Sequence, residues 1–131
     1  GQVDTLSPAA SGKIAVFDAD GDGHDEVLRA TVSTLTAEAK GKVLFRTGYP
    51  DALGAFAFQV PLPNAENAIG AVLPEQGQIR LFDSAGELWP GFPLDGAVRF
   101  QVADINLDGA LEVVTVDRDG VVGVHPLAPK P

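Results

Sequence analysis

Residues 18–26 read Asp-Ala-Asp-Gly-Asp-Gly-His-Asp-Glu, and residues 104–112 read Asp-Ile-Asn-Leu-Asp-Gly-Ala-Leu-Glu. Both stretches place oxygen-bearing side chains at positions one, three and five, glycine at position six and glutamate at position nine. Alternate side chains of a curled loop point inward, and the glycine permits the sharp turn that folds the loop over a hard cation. The spacing therefore predicts two calcium-binding loops.

The predicted ligands are the side-chain oxygens at positions one, three, five and nine and the backbone carbonyl at position seven. They supply most of the roughly six to eight oxygens that Ca²⁺ takes. In the first loop they are Asp18, Asp20, Asp22, His24 and Glu26. In the second loop they are Asp104, Asn106, Asp108, Ala110 and Glu112. Turns rich in aspartate and glycine also form without a metal, but the recurrence of one spacing favours cation binding.

An EF-hand begins in the same way and then requires a glutamate at position twelve and a helix. Position twelve is Arg29 in the first copy and Thr115 in the second. The residues that follow each loop are rich in β-branched side chains, which favour strands. We therefore interpret both stretches as loops between strands.

The pattern Asp-x-Asp/Asn-x-Asp-Gly-x-x-Glu between two hydrophobic segments resembles the FG-GAP/VCBS repeat, the calcium-binding blade unit of integrin α-subunit-like β-propellers. Residues 88–93, Leu-Trp-Pro-Gly-Phe-Pro, are similar to a connector found in bacterial members. The resemblance covers most of the chain. It implies blade-like sheets, bound Ca²⁺ and a role in adhesion or recognition.

A third, degenerate copy follows from the match between residues 58–60 and residues 100–102, which both read Phe-Gln-Val. The copies then begin at residues 18, 62 and 104, and a period in the low forties is typical of blade-sized repeats. This alignment places Leu62, Asn64, Glu66 and Gly70 at the positions of Asp104, Asn106, Asp108 and Glu112. We expect no cation in the degenerate copy.

The sequence thus predicts an all-β protein of about three tandem four-stranded antiparallel units, which form a partial propeller or a fragment of one. The predicted units span residues 13–54, 55–97 and 98–131, and residues 2–6 are a candidate closing strand. The one helix-prone stretch, residues 35–41, is too short for more than a turn. Three blades fall short of a complete propeller. The chain is therefore a piece of a longer protein, self-associates to complete a ring, or packs its units in another way.

The composition excludes several classes of partner. The 131 residues carry a net charge of −9, which disfavours nucleic acid and anionic membrane surfaces. There is no cysteine for disulfides or thiolate metal sites, and no apolar run long enough for membrane insertion. Weak calcium loops fill only outside the cytosol. We therefore expect a secreted, periplasmic or cell-surface location.

The sequence contains no nucleophile elbow, phosphate-binding loop or zinc-protease motif. Its clustered carboxylates are better suited to hold cations than to act as a general acid. The aromatic residues Tyr49, Phe56, Trp89 and Phe92 are expected to pack between units rather than to form a ligand platform. We hypothesise a non-catalytic, calcium-binding extracellular module that recognises a protein or glycan. The alternative is an accessory part of a larger polysaccharide- or polymer-processing enzyme.

Overall fold

The computed structural model describes residues 13–19, 22–51, 53–62 and 67–128. These residues form no helix, which confirms the prediction of an all-β protein. The strands are β1 (Lys13–Phe17), β2 (Glu26–Ala30), β3 (Thr34–Ala39), β4 (Lys42–Gly48), β5 (Phe56–Pro61), β6 (Asn67–Leu73), β7 (Gln78–Phe82), β8 (Leu94–Asp95), β9 (Gln101–Ala103), β10 (Glu112–Val116) and β11 (Val122–Pro126).

The strands pair in chain order into three antiparallel sheets. Sheet 1 contains β1 to β4, sheet 2 contains β5 to β8, and sheet 3 contains β9 to β11. Each described sheet is open, so the closed ring of a propeller stays a prediction. The division into three repeat units also stays a prediction, and the candidate closing strand at residues 2–6 lies outside the described residues.

The helix-prone stretch forms strand β3 and the hairpin that follows it. Leu35 and Ala37 are buried, and β3 pairs with β2 on one side and β4 on the other. The turn consists of Lys40 and Gly41, which both have positive φ angles, of 52° and 78°. Pairing on both sides and burial of one face outweigh the helix propensity of Ala-Glu-Ala-Lys.

Sheet 2 is the middle layer of the fold. One hydrophobic cluster joins it to sheet 1 through residues such as Leu28, Leu35 and Ile69. A second cluster joins its other face to sheet 3 through residues that include Phe58 and Val113. Because both faces are covered, every β6 residue after Asn67 is buried. Full burial of each large aliphatic side chain stabilises the fold by about 1.5–3 kcal/mol.

The outward faces of sheets 1 and 3 are less well covered. Val16 on β1 is 59% exposed and Val122 on β11 is 62% exposed. On sheet 1, the aliphatic side chains share this face with an ion pair between Arg29 and Glu38, whose charged atoms lie 3.4 Å apart. The described protein is therefore a three-layer stack with a closely packed middle sheet.

The strand register corrects the alignment of the degenerate copy. In each sheet the residue before the first loop pairs with the residue after it: Phe17 with Glu26, Ala103 with Glu112, and Pro61 with Asn67. Asn67, and not Gly70, therefore occupies the position of the two glutamates. The alignment from residues 58–60 was wrong because the loop of residues 62–66 is shorter than that of residues 18–25.

Candidate metal centres in two matched loops

The two acidic stretches connect the first two strands of their sheets. Residues 18–25 join β1 to β2, and residues 104–111 join β9 to β10. Each loop begins with an aspartate that immediately follows a strand, and the motif glutamate begins the next strand. The repeated sequence thus occupies the same place in two antiparallel sheets.

Hydrogen bonds from the backbone to aspartate side chains fold the first loop. The N–H groups of Asp22 and Gly23 donate to the two carboxylate oxygens of Asp18, at 3.2 and 2.8 Å. The N–H of His24 donates to Oδ1 of Asp22 at 2.8 Å. Asp18 therefore closes the loop, and Asp22 shapes its second half.

The second loop has the same network. The N–H groups of Asp108 and Gly109 donate to the two carboxylate oxygens of Asp104, at 3.1 and 2.8 Å. The N–H of Ala110 donates to Oδ1 of Asp108 at 2.8 Å. The matched distances show that the described parts of the two loops share one hydrogen-bond pattern, as expected from their shared spacing.

Each motif glutamate turns its carboxylate back towards the start of its loop. Oε1 of Glu26 accepts a hydrogen bond from the N–H of Ala19 at 2.7 Å, and Oε1 of Glu112 accepts one from the N–H of Ile105 at 3.1 Å. Glu26 is 1% exposed and Glu112 is 9% exposed. Both motif glutamates are therefore buried beside the start of their loops.

The glycine at position six has the conformation that the motif requires. Gly23 and Gly109 have φ angles of +87° and +89°, a region that residues with a Cβ seldom adopt. Leu107, at position four of the second loop, also has a positive φ, of 60°, and is 88% exposed. The tight turn is therefore maintained even where it places a leucine in a strained conformation.

Each loop brings three carboxylates together. The first group consists of Asp18, Asp22 and Glu26, and the second of Asp104, Asp108 and Glu112. Within each group, one oxygen from every residue lies within 4.8 Å of the others. The donors are hard oxygens at a spacing that a Ca²⁺ ion can bridge, since Ca–O distances are about 2.3–2.6 Å. Each group could therefore hold a metal ion.

The structure places the other predicted ligands as follows. Asp20 lies outside the described residues. Asn106 is exposed, and its Oδ1 accepts a hydrogen bond from the N–H of Asp108 at 3.3 Å, which points the amide oxygen into the loop. His24 and Ala110 lie at the loop bend, where their N–H groups bond the aspartate at position five. Ligation by their carbonyl groups stays a prediction.

Asn67 also belongs to this region, although the motif spacing did not indicate it. Its Nδ2 donates to the backbone carbonyl of Asp18 at 2.9 Å, so sheet 2 supports the first residue of the first loop. Aligning the degenerate copy on the strand after its loop, the apolar run of residues 68–73, would have identified the position.

The aromatic residues are used for packing. Tyr49, Trp89 and Phe92 are buried, and Phe56 is partly buried against the second cluster. The indole Nε1–H of Trp89 donates to the carbonyl of Ala128 at 2.8 Å, which links sheet 2 to the segment after β11. This confirms the expectation that the aromatic side chains fill spaces between sheets.

Comparison of the chain with protein-family models gives no match, and comparisons with curated proteins and with solved structures give none. The resemblance to FG-GAP/VCBS repeats therefore rests on the motif residues themselves. The described residues contain no helix that is long and apolar enough to cross a membrane.

Proposed function

We propose that this protein is a non-catalytic, calcium-binding β module with FG-GAP/VCBS-like blades, which works outside the cytosol in recognition of a protein or glycan. The observation that carries the proposal is the duplicated loop. Two stretches far apart in sequence fold with the same hydrogen bonds, and each gathers three carboxylates. A shared structural role for a cation accounts for the recurrence.

The donor chemistry favours calcium among biological cations. Zinc prefers nitrogen and sulfur ligands, and the chain has no cysteine. Magnesium requires a nearly ideal octahedron and retains its waters. A loop with three carboxylates, further oxygen groups and exposed residues suits the larger and more variable shell of Ca²⁺.

When bound, the ion supplies positive charge that offsets the mutual repulsion of the carboxylates. The chain supplies the geometry. Asp18 and Asp104 fix the loop bend through two backbone N–H groups each, and Glu26 and Glu112 join the start of the loop to the start of the next strand. An ion would therefore join two strands of one sheet and hold the intervening loop rigid for partner binding.

Calorimetric titration of the chelator-treated protein with CaCl₂ tests the proposal, and we expect two ions per chain. Asp22→Asn and Asp108→Asn keep the Oδ1 acceptors that the loops use but remove one negative charge, so each should weaken calcium binding at one site while the fold persists. The double variant should weaken both sites. Magnesium should produce at most weak heats. Absence of calcium binding to the wild-type protein, or calcium affinities that neither variant changes, would contradict the proposal.

A further inference from the structure

The first strand of each sheet lies at a free edge. Within the described residues, β1, β5 and β9 each have a hydrogen-bonded neighbour on one side only. No other backbone hydrogen bond within the described part of the chain involves residues 56–62 or 99–103. An edge strand with free N–H and C=O groups is a template for another extended chain.

Two neighbouring cavities border β5 and are together called the β5 groove. Its first part, of about 540 Å³, is lined by Lys13, Ile14, Ala15, Phe56, Ala57 and Arg99. Its second part, of about 310 Å³, is lined by residues 58–61 and 99–102. Arg99 lines both parts, and β5 contributes residues to each of them.

The lining shows that the edge of β5, and not one of its faces, borders the second part. Phe58 and Val60 are buried on one face of sheet 2, whereas Gln59 and Pro61 are exposed on the other. Side chains alternate between the faces of a strand. Four consecutive residues can therefore border one cavity only along the backbone edge, where the outward N–H and C=O groups lie.

Two cations flank this edge. Nζ of Lys13 lies 5.5 Å from the ring centre of Phe56, and Cζ of Arg99 lies 5.7 Å from that of Phe58. Neither cation has a carboxylate within 4.0 Å in the described part of the chain. In a protein with 18 acidic and 9 basic residues, a groove that carries two such cations is locally complementary to an anionic ligand.

We propose that the groove along β5 binds an extended acidic peptide segment of a partner protein by strand addition. The free backbone groups supply hydrogen bonds to the main chain of the peptide, and Lys13 and Arg99 attract acidic side chains at alternate positions. The six residues of β5 match a peptide of about 20 Å at roughly 3.3 Å per residue. This strand-addition site would supply the surface and the partner class for the proposed recognition role, on which it rests. Peptide binding at the site does not require calcium.

The test uses fluorescence anisotropy with a labelled peptide of sequence Glu-Val-Glu-Val-Glu-Val and its Lys-Val-Lys-Val-Lys-Val counterpart. We expect only the acidic peptide to bind. Two further acidic probes carry N-methyl groups either on the glutamate amides or on the valine amides. Because alternate amides of an added strand face the protein, one methylated probe should lose at least about tenfold in affinity and the other less than about twofold.

Lys13→Glu and Arg99→Glu should each lower the affinity for the acidic peptide by about five- to tenfold. Lys42→Glu and Arg46→Glu are matched controls on exposed positions of β4 and should leave the affinity within about twofold. Failure of the acidic peptide to bind, or equal tolerance of both methylated probes, overturns the proposal. Binding of polygalacturonate in place of the peptide also overturns it and assigns the groove to an anionic glycan.

Calcium titration of the same samples separates this proposal from the previous one. If the protein binds two calcium ions and no acidic peptide, the strand-addition site is wrong and the calcium module stands. If the protein binds the acidic peptide but no calcium, the strand-addition proposal is supported and the proposed metal sites are wrong. The methylated probes leave the protein unchanged, so the test does not depend on the folding of any variant.

Discussion

Replacing Glu26 with glutamine separates the charge of the first loop from its shape. The carboxylate is 1% exposed, and its Oε1 accepts the N–H of Ala19 at 2.7 Å. The glutamine amide oxygen can accept the same hydrogen bond, and the glutamine side chain is nearly identical in size to that of glutamate. The substitution therefore removes one negative charge, and with it one charged calcium ligand, while the local packing persists.

The geometry predicts that Glu26→Gln is more stable than the wild type in chelator and less stable than the wild type in calcium. Oxygens of Glu26, Asp18 and Asp22 lie within 4.8 Å of one another. Two unit charges at that distance repel by about 1 kcal/mol in water and about 3.5 kcal/mol at an effective dielectric constant near 20. Asp22 is exposed and Asp18 is half-buried, so we expect the variant to be about 2 kcal/mol more stable than the wild type in chelator.

Calcium should reverse this order. A site filled at a hundredfold excess over Kd stabilises the folded state by about 2.7 kcal/mol. The variant should lose most of that gain because a charged ligand is missing, so the wild type should become more stable than the variant once the repulsion is neutralised.

Urea unfolding gives the free energy of unfolding in both buffers. It can be followed by the fluorescence of Trp89, the single tryptophan, which is buried. Glu87→Gln, at an exposed position outside the loops, is the control and should change stability by less than about 0.5 kcal/mol in either buffer. A Glu26→Gln variant that is equally destabilised with calcium and with chelator would refute the reasoning, since the carboxylate would then act only through packing.

Three other substitutions test the surrounding structure. Burial raises the pKa of Tyr49 from 10.0 to about 12, so its contribution, at most about 3 kcal/mol, is complete below pH 10 and is lost as the pH rises towards 12. Tyr49→Phe should abolish that alkaline loss in urea unfolding measured from pH 9 to pH 12. Gly70→Ala should cost about 1–3 kcal/mol because its Cβ would lie 2.5 Å from Cζ of Phe58, whereas Gly48→Ala, with its nearest neighbour at 3.7 Å, should be close to neutral in thermal melts. Asn67→Ala removes a hydrogen bond to the carbonyl of Asp18 and should lower the free energy of unfolding by about 1 kcal/mol.

The features that the sequence predicts well are those set by local chemistry. Asp18 and Asp104 bond N–H groups four and five residues ahead, and Gly23 and Gly109 adopt positive φ angles. These contacts involve only neighbours in the chain, so a spacing rule captures them. Alternation of apolar residues and turn signals was likewise sufficient to predict most of the antiparallel strands outside residues 35–41.

The features that the sequence predicts poorly depend on distant parts of the chain. Residues 35–41 have moderate helix propensity, but β2 and β4 offer pairing on both sides, which no local window contains. The register of the degenerate copy depends on the length of the loop at residues 62–66, and a match on one flanking strand does not reveal a deletion. The groove along β5 arises from three strand edges that are far apart in sequence.

The layer order explains why the middle unit can dispense with an acidic loop. Sheet 2 is covered on both faces, whereas sheets 1 and 3 leave residues such as Val16 and Val122 largely exposed. Burial of one large aliphatic side chain is worth about 1.5–3 kcal/mol, close to the roughly 2.7 kcal/mol that one bound ion supplies at a hundredfold excess. Under the proposed function, a calcium ion in each outer sheet therefore offsets about one missing large apolar contact. The middle sheet already has those contacts, and Asn67 there uses the glutamate position to support the neighbouring loop.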